Sequence, residues 1–250
     1  MKIIGIVPTS NYMLTDDTFK DHYRYGNNYI KKIIDNGALP YLIPLYNDKV
    51  IIECLDNLDG VIFPGGTKVN EYSFEIMDYC YKNKIPVLGI CLGMQTLAMY
   101  SVNLDKKKRI IKKVDGHWPV QITRDNNDEV VHNDIVLKDT RMYNIIGKEI
   151  IRVNSLHHNT ITEVGSKFRI SIKSEDGLIE GIEYIDTDRL MIGIQFHPEI
   201  LPEFNNIFKY FIDNCKKRDW INSISFKISL IDYFLTYYLS IPKLLIYPWH

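Results

Sequence analysis

One cysteine of this chain stands in a sequence context that is typical of a nucleophile. Cys91 lies in the segment GICLG (89–93), where an apolar run is followed by residues with helical character. This G-x-nucleophile-x-G pattern marks a sharp turn from strand to helix, which accepts only small neighbours because the backbone is strained and the two elements approach closely. The positive end of the helix favours the reactive thiolate. We interpret Cys91 as a nucleophile, and Cys54, Cys80 and Cys215, which follow helical patterns, as core cysteines.

A thiolate nucleophile needs a base, and the segment QFHPE (195–199) offers a histidine and a carboxylate after the apolar run LMIGI. Open α/β sheets place their sites at this carboxyl edge of the strands. In extended chain, residues two apart point the same way, so Glu199 is predicted to hold the His197 imidazole in one tautomer. The alternative interpretation of His197 is a surface histidine beside a proline turn. This alternative is less favoured because the same chain also contains the GICLG segment.

The glycines of the segment FPGGT (63–67) could present backbone N–H groups to a developing oxyanion. We predict one donor at Gly66 or its neighbour Gly65, and the other at Leu92, the residue after the nucleophile. By itself this segment would be interpreted as an ordinary turn.

The elements that must position these residues alternate along the first ninety residues. Predicted strands are KIIGIV (2–7), ALPYLIPL (38–45), DGVIFPGG (59–66) and IPVLGI (85–90). Predicted helices are the stretch 27–36, VIIECLDNL (50–58), VNEYSFEIMDYCYKNK (69–84) and CLGMQTLAMY (91–100). This spacing is typical of βαβ units, so we predict an α/β fold with a mostly parallel central sheet and helices on both faces.

After about residue 115 the pattern changes to short apolar segments separated by turn residues, which predict additional, mostly antiparallel strands in the C-terminal half. These segments are WPVQITR, EVVHNDIVL, EIIRVNS, FRISIKS, LIEGIEYI and LMIGIQF. Apolar residues at helical spacing in 201–217 then predict a final helix packed on the sheet. The basic segment DKKKRIIKK (105–113) is interpreted as a solvated loop or helix face.

Residues 1–215 are predicted to form one domain and residues 216–250 a C-terminal extension. The longest charge-free stretch of this extension covers only 233–242, and Lys227, Asp232 and Lys243 interrupt its apolar residues. Since a bilayer span needs roughly 20 mostly apolar residues, a transmembrane helix is disfavoured. A helix packed on the domain, a partner-binding element and dispensable sequence stay open.

The composition of the 250-residue chain excludes several classes of function. Its 30 basic and 31 acidic side chains give a net charge of -1, which provides no electrostatic attraction for nucleic acid. With 46% hydrophobic residues, 24% charged residues and a mean hydropathy of -0.14, the chain is neither disordered nor a polytopic membrane protein. The cysteines form no CxxC pair and the N-terminus does not follow a signal-peptide pattern, so we expect reduced thiols in the cytoplasm, with no metal and no cofactor.

The order of PGG (64–66), GICLGMQ (89–95) and HPE (197–199), in a chain that opens with IIGI, resembles the class I glutamine amidotransferase superfamily. Within it, VNSLHHNTI (153–161), DGLIEGIE (176–183) and IGIQFHPE (192–199) resemble the gamma-glutamyl hydrolase branch, which includes gamma-glutamyl-GABA hydrolases. The resemblance covers about residues 2–215.

This resemblance implies a flavodoxin-like fold and hydrolysis of a gamma-glutamyl amide through a thioester on Cys91. His197 would take the thiol proton and return it to the leaving amine, and Glu199 would orient His197. Gln95 matches the glutamine of the family signature and is expected to help bind the gamma-glutamyl group. Three further residues match the branch's NSxHHQ segment and are expected to line the site, although each could equally be a satisfied polar core residue: Ser155, His157 and His158.

Three functions stay open at this point. The first is a stand-alone hydrolase that acts on a small gamma-glutamyl substrate or glutamine. The second is a glutaminase subunit that passes ammonia to a separate synthase, so that a homodimer and a synthase partner are both compatible with the sequence. The third is a degenerate, non-catalytic binding domain, which is motivated by the segment 101–115, where the family's glycine pair is missing.

Overall fold

The computed structural model describes residues 1–10, 23–105, 110–118 and 131–216. Its strands are β1 (Ile3–Ile6), β2 (Thr9–Ser10), β3 (Tyr23–Arg24), β4 (Leu39–Leu42), β5 (Leu45–Tyr46), β6 (Lys49–Val50), β7 (Gly60–Phe63), β8 (Val87–Ile90), β9 (Ile111–Lys113), β10 (Val131–Val136), β11 (Ile150–Asn154), β12 (Asn159–Ile161), β13 (Phe168–Ser174), β14 (Ile179–Tyr184) and β15 (Met191–Ile194). Its α-helices are α1 (Asn27–Asp35), α2 (Glu71–Lys82), α3 (Leu92–Leu104), α4 (Arg141–Ile146) and α5 (Asn205–Asn214).

Eleven of these strands form one mixed sheet, which confirms the predicted α/β fold. Its parallel half runs in the order β4, β1, β7, β8 and β15. Its antiparallel half continues with β14, β13, β10 and β11, while β12 pairs with β14 and β9 at the side. Strand β15 joins the two halves, because it is parallel to β8 on one side and antiparallel to β14 on the other.

Helices cover both faces of the sheet, as the alternating pattern predicted. Side chains of adjacent strand residues point to opposite faces, so Val61 packs in the cluster that contains α2 and α3, and Ile62 in the cluster that contains α1, α4 and α5. In α5, the apolar residues predicted to face the sheet are buried: Ile207, Phe208, Phe211 and Ile212. The parallel strands β7, β8 and β15 are buried throughout because both faces are covered.

Three local predictions were wrong or incomplete. The segment VIIECLDNL contains only a 3-10 turn over Ile52–Leu55, because its apolar run has no helical period and Ile51 and Ile52 remain exposed. The basic segment 105–113 ends in β9, which pairs with β12 and follows a buried Ile110, so this part is not a solvated loop. Helix α4 was not predicted; it begins at the Thr140 cap and is only six residues long.

Two parts of the sequence prediction fall outside the described residues. They are the extension beyond Lys216 and most of the segment WPVQITR, and the predicted domain boundary at residue 215 stays a prediction. Within the described ranges, no helix is long and apolar enough to cross a bilayer.

Helix α3 approaches the end of β7 so closely that only glycine fits at the contact. A Cβ atom on Gly93 would lie 2.0 Å from the carbonyl oxygen of Phe63, and a Cβ atom on Gly89 would lie 2.7 Å from the backbone of Gly93. Backbone atoms cannot move aside as a flexible side chain can. The two glycines that flank Cys91 are therefore required by packing, whatever the chemistry of the thiol.

We expect Gly93→Ala to lower the free energy of unfolding by about 3 kcal/mol or more, since the added methyl group must displace backbone on two elements. Gly37→Ala is the matched control. Gly37 has φ 77° and open space around its Cβ position, so this change should cost only about 1–2 kcal/mol of backbone strain. Urea unfolding measures both values, and equal losses would contradict the packing argument.

Candidate active site

The three segments that the sequence selected meet at the carboxyl edge of the parallel strands. Cys91 follows β8, His197 lies shortly after β15, and Gly65 lies shortly after β7. Because these strands are neighbours in the sheet, their following residues come together although they are far apart in the chain. A Cβ atom on Gly65 would lie 2.6 Å from Cε1 of His197 and 3.5 Å from Cβ of Cys91, which shows how tightly the three residues pack.

The Cys91 backbone adopts the strained turn that the sequence pattern predicted. Its φ of 52° and ψ of -106° are rarely adopted by a residue with a side chain, and it immediately precedes α3. Hydrogen bonds on both sides hold this conformation: the Cys91 N–H donates to Ile194 O at 2.7 Å, and the Gln95 N–H donates to Cys91 O at 3.1 Å. The Cys91 sulfur lies 4.0 Å from the carbonyl oxygen of Leu156, in a largely buried position.

His197 and Glu199 form a close pair, with 2.7 Å between Nδ1 and Oε1. The chain between them is a 3-10 turn over Pro198–Ile200, so the expected extended geometry is wrong, although the two side chains do meet. Burial opposes a charge on the imidazole, but the charges of Glu199 and Cys91 and hydrogen bonds to both raise the pKa of His197 well above its usual 6.5. Because Glu199 contacts Nδ1, the other ring nitrogen, Nε2, is the one available to the thiol.

Tyr29, a residue the sequence analysis did not select, supports this pair from helix α1. Its hydroxyl donates to Glu199 Oε1 at 2.7 Å and accepts a hydrogen bond from the Gly65 N–H at 3.1 Å. Burial, followed by the charge of Glu199, raises the pKa of Tyr29 well above 10, so the hydroxyl remains a donor. Only its apolar helical spacing with Ile33 marks Tyr29 in the sequence, which indicates burial and no more.

Asn154 fixes the backbone of the histidine. Its side-chain oxygen accepts a hydrogen bond from the His197 N–H at 2.8 Å, and its amide donates to His197 O at 3.2 Å. The residue ends β11 and is almost completely buried. Its place in the segment VNS, beside the residues expected to line the site, was the available signal in the sequence.

The predicted oxyanion donors lie next to the thiol in the chain or in space. Leu92 begins α3, where N–H groups have no acceptor within the helix. Gly66 packs beside Leu92, since a Cβ atom on Gly66 would lie 3.0 Å from a methyl carbon of that leucine. The Gly65 N–H is already bound to Tyr29, which leaves Gly66 as the better candidate of the two glycines.

Gln95 is buried and used for structure in the described conformation. Its amide donates to Asn159 O at 3.0 Å and to the side-chain oxygen of Gln195 at 3.1 Å. These contacts join α3 to the start of β12 and to the segment that follows β15. Contact between Gln95 and a gamma-glutamyl group stays a prediction.

The three residues of the NSxHHQ-like segment have different surroundings. Ser155 is fully buried and donates to His117 O at 3.1 Å. His157 is buried and lies 3.2 Å from the His117 ring. His158 is exposed and stacks on Trp118, with 4.2 Å between ring centroids.

Comparison with known proteins finds a matching family model and relatives that cover most of this chain. The family model described as Peptidase C26 matches residues 2–74 and 67–199. A Schizosaccharomyces pombe protein named "Putative glutamine amidotransferase PB2B2.05" is 31% identical over 221 residues, which cover 77% of this chain and 84% of that protein. One subunit of the glutamine-hydrolysing GMP synthase of Picrophilus torridus is 25% identical over 75% of this chain and 91% of its own length. The glutaminase domain of Trypanosoma brucei CTPS, solved with bound acivicin, is 15% identical and has a TM-score of 0.62, covering 88% of this chain and 96% of that one.

We expect Glu199→Gln to lower the pKa of His197, because burial then acts on the imidazole without the compensating carboxylate. A raised pKa in the folded protein stabilises the fold fully below about pH 6.5, the unfolded value, and this stabilisation is lost as the pH rises through the folded value. In the wild type, the free energy of unfolding should fall as the pH rises from about 6.5 through the folded-state pKa of His197. In the variant, this decrease should be smaller. Ring-nitrogen NMR titration and urea unfolding at several pH values measure the two effects.

Glu203→Gln, in the next 3-10 turn and exposed, is the matched control for this carboxylate. It should leave the His197 titration in place. An unchanged His197 midpoint in Glu199→Gln would contradict the assigned cause.

Proposed function

Since this chain belongs to the Peptidase C26 family of glutamine amidotransferase-like hydrolases, we propose that it cleaves a gamma-glutamyl amide bond with Cys91 as nucleophile. The observation that carries this proposal is the packing of a strained, buried thiol against a histidine whose other ring nitrogen is held by a carboxylate. Residues 1–215 are taken as the catalytic part. The proposed substrates are gamma-glutamyl amides, the class on which the gamma-glutamyl hydrolase branch of the family acts.

The first half of the proposed reaction forms a thioester. His197 takes the thiol proton on its free ring nitrogen, and the Cys91 sulfur attacks the gamma-carbonyl carbon of the substrate. The resulting oxyanion accepts hydrogen bonds from the N–H groups of Leu92 and Gly66, which gain strength as the charge develops. Collapse of this intermediate breaks the carbon–nitrogen bond, and His197 returns the proton to the departing amine.

The second half releases glutamate. A water molecule gives a proton to His197 and attacks the thioester carbonyl, and cleavage of the carbon–sulfur bond regenerates the thiol with the proton from the histidine. Glu199 keeps the proton on Nδ1 of His197 throughout, so the other nitrogen alternates between base and acid. Tyr29 and Asn154 support this role by holding Glu199 and the His197 backbone.

We expect Cys91→Ala to reduce glutamate release from gamma-glutamyl substrates on the order of 10^4-fold, the loss typical when a covalent nucleophile is removed. Cys54→Ala is the matched control, since Cys54 lies in a 3-10 turn outside the site and should leave the rate unchanged. Intact-protein mass spectrometry with acivicin should show one addition to the wild-type chain and none to Cys91→Ala. A wild-type chain that is neither labelled nor active would favour the degenerate binding domain.

A glutaminase that serves a separate synthase is the second candidate function, and its support is the similarity to the GMP synthase subunit of Picrophilus torridus over most of both chains. Such a protein would take glutamine as substrate and would deliver ammonia to its synthase partner. Its thiol would react with acivicin as in the first proposal, so labelling does not separate the two.

Turnover by the isolated chain separates them. We expect kcat/KM for gamma-glutamyl amides with a substituted amine to exceed the value for glutamine by about 10-fold or more, as one additional buried apolar group contributes about 1–3 kcal/mol. Cys91→Ala gives the background rate. Negligible turnover of every substrate, followed by acceleration when a co-purified synthase is added, would favour the second candidate.

A further inference from the structure

Three histidines and one glutamate converge beside the active site although they come from four separate segments. Each of these residues offers one ligand atom, and the four atoms lie within 4.8 Å of one another. Their side chains are buried or half-buried. The members are His117, His132, His157 and Glu180, which we call the histidine cluster.

Two of these histidines have one ring nitrogen held by a neighbour. Nε2 of His117 lies 3.2 Å from a carboxylate oxygen of Asp176, and Nδ1 of His157 lies 3.1 Å from Asn159 O. If these nitrogens carry the protons, the opposite nitrogen of each ring presents a lone pair. Histidines that bind metals are held in this way, with the second nitrogen donating to a carboxylate or a backbone carbonyl.

The two opposite nitrogens face each other, with 3.2 Å between Nδ1 of His117 and Nε2 of His157. Glu180 Oε1 lies 3.6 Å from the same His157 nitrogen. An ion with tetrahedral bonds of about 2.1 Å separates its ligands by about 3.4 Å, so both distances suit two ligands of one ion. Ser155 Oγ also lies 3.0 Å from His117 Nδ1, but its proton can go to the His117 carbonyl oxygen at 3.1 Å.

His132 completes the set in a similar arrangement. Its Nδ1 lies 2.8 Å from Oδ1 of the fully buried Asp134, within ion-pair distance. Nε2 of His132, the nitrogen that Asp134 does not contact, has no hydrogen-bond partner among the described residues. Its ring lies 4.8 Å from the His117 ring, centroid to centroid.

Glu180 differs from Glu183, a second fully buried glutamate on β14. Glu183 accepts hydrogen bonds from the Arg169 guanidinium at 2.8 and 2.6 Å and from the N–H groups of Arg141 and Met142 at 2.8 and 3.0 Å. Neither oxygen of Glu180 has a hydrogen-bond partner within the described ranges. A buried carboxylate without donors costs several kcal/mol unless a proton or a cation neutralises its charge.

We propose that the histidine cluster is a binding site for one divalent transition-metal ion, with Zn²⁺ as the best match. Imidazole nitrogens suit Zn²⁺, which also accepts a carboxylate oxygen, and three imidazoles with one carboxylate complete a four-coordinate site.

The place of the cluster in the fold indicates what the ion would do. His157 follows Leu156, whose carbonyl oxygen faces the Cys91 sulfur at 4.0 Å. Glu180 is joined to the other side of the site, since its carbonyl oxygen accepts a hydrogen bond from the Gln195 N–H at 2.8 Å. The ion would therefore fix the wall of the catalytic site, and this role does not depend on which substrate Cys91 attacks.

Metal analysis of the full-length chain tests the proposal. The chain is stripped with a chelator, loaded with excess Zn²⁺ or Co²⁺ and desalted. We expect about one ion per chain by mass spectrometry of the metal, the visible absorption of tetrahedral Co²⁺, and a higher thermal midpoint of the Zn²⁺ form. A wild-type chain that retains no ion and shows no thermal shift would overturn the proposal, as would a thermal midpoint that depends on pH but not on added metal.

Variants locate the ion. Glu180→Gln keeps the shape of the side chain and should remove stoichiometric binding, and Asp176→Asn should weaken it about 10–100-fold through His117. His158→Gln is the matched control, because this exposed histidine stacks on Trp118 next to the cluster and should leave the ion bound. If Glu180→Gln does not fold, Asp176→Asn, whose carboxylate is more than half exposed, still provides the measurement. Equal metal content in all three variants would overturn the assignment.

Discussion

The site depends on the close approach of helix α3 to the ends of β7 and β8. Backbone meets backbone there, so a glycine on either side of Cys91 is the only solution, and the cysteine between them takes a positive φ. This strained turn aims the sulfur at the edge of the sheet where β15 delivers His197. Strain of this kind persists only where surrounding structure over-determines it, and here the sheet and the helix do so on both sides.

The sequence was sufficient where local pattern and spacing coincide with the physics of the fold. The two glycines of the GICLG segment were enough to predict the turn from strand to helix at Cys91. The buried parallel strands were recognisable from their continuous apolar runs. It was insufficient for contacts that only the tertiary structure creates. Tyr29 contacts Glu199 although the two residues are 170 positions apart in the chain. The residues between His197 and Glu199 form part of a 3-10 turn, and the spacing His-x-Glu does not distinguish such a turn from a strand.

Two networks of polar side chains lie next to the candidate active site. On one side Tyr29 and His197 both make hydrogen bonds of 2.7 Å to Oε1 of Glu199. On the other side the histidine cluster contains a buried carboxylate with no donor among the described residues. The sequence did not predict the second system, because its members are spread from residue 117 to residue 180 and none forms a short ligand pair. They come together only where β10, β14, the segment after β9 and the segment after β11 meet.

The joining role of β15 has a consequence for the order of events during synthesis. Met191 pairs with Val87, so the half of the site that carries the thiol leaves the ribosome long before the half that carries its proposed base, His197. The nascent chain therefore holds Cys91 before the proton acceptor that we propose for it has been made. A contact between such distant segments also closes a long loop, which makes it slow to form. In the proposed mechanism, the pairing of Cys91 with His197 is in this way delayed until residues up to the end of β15 and beyond have emerged.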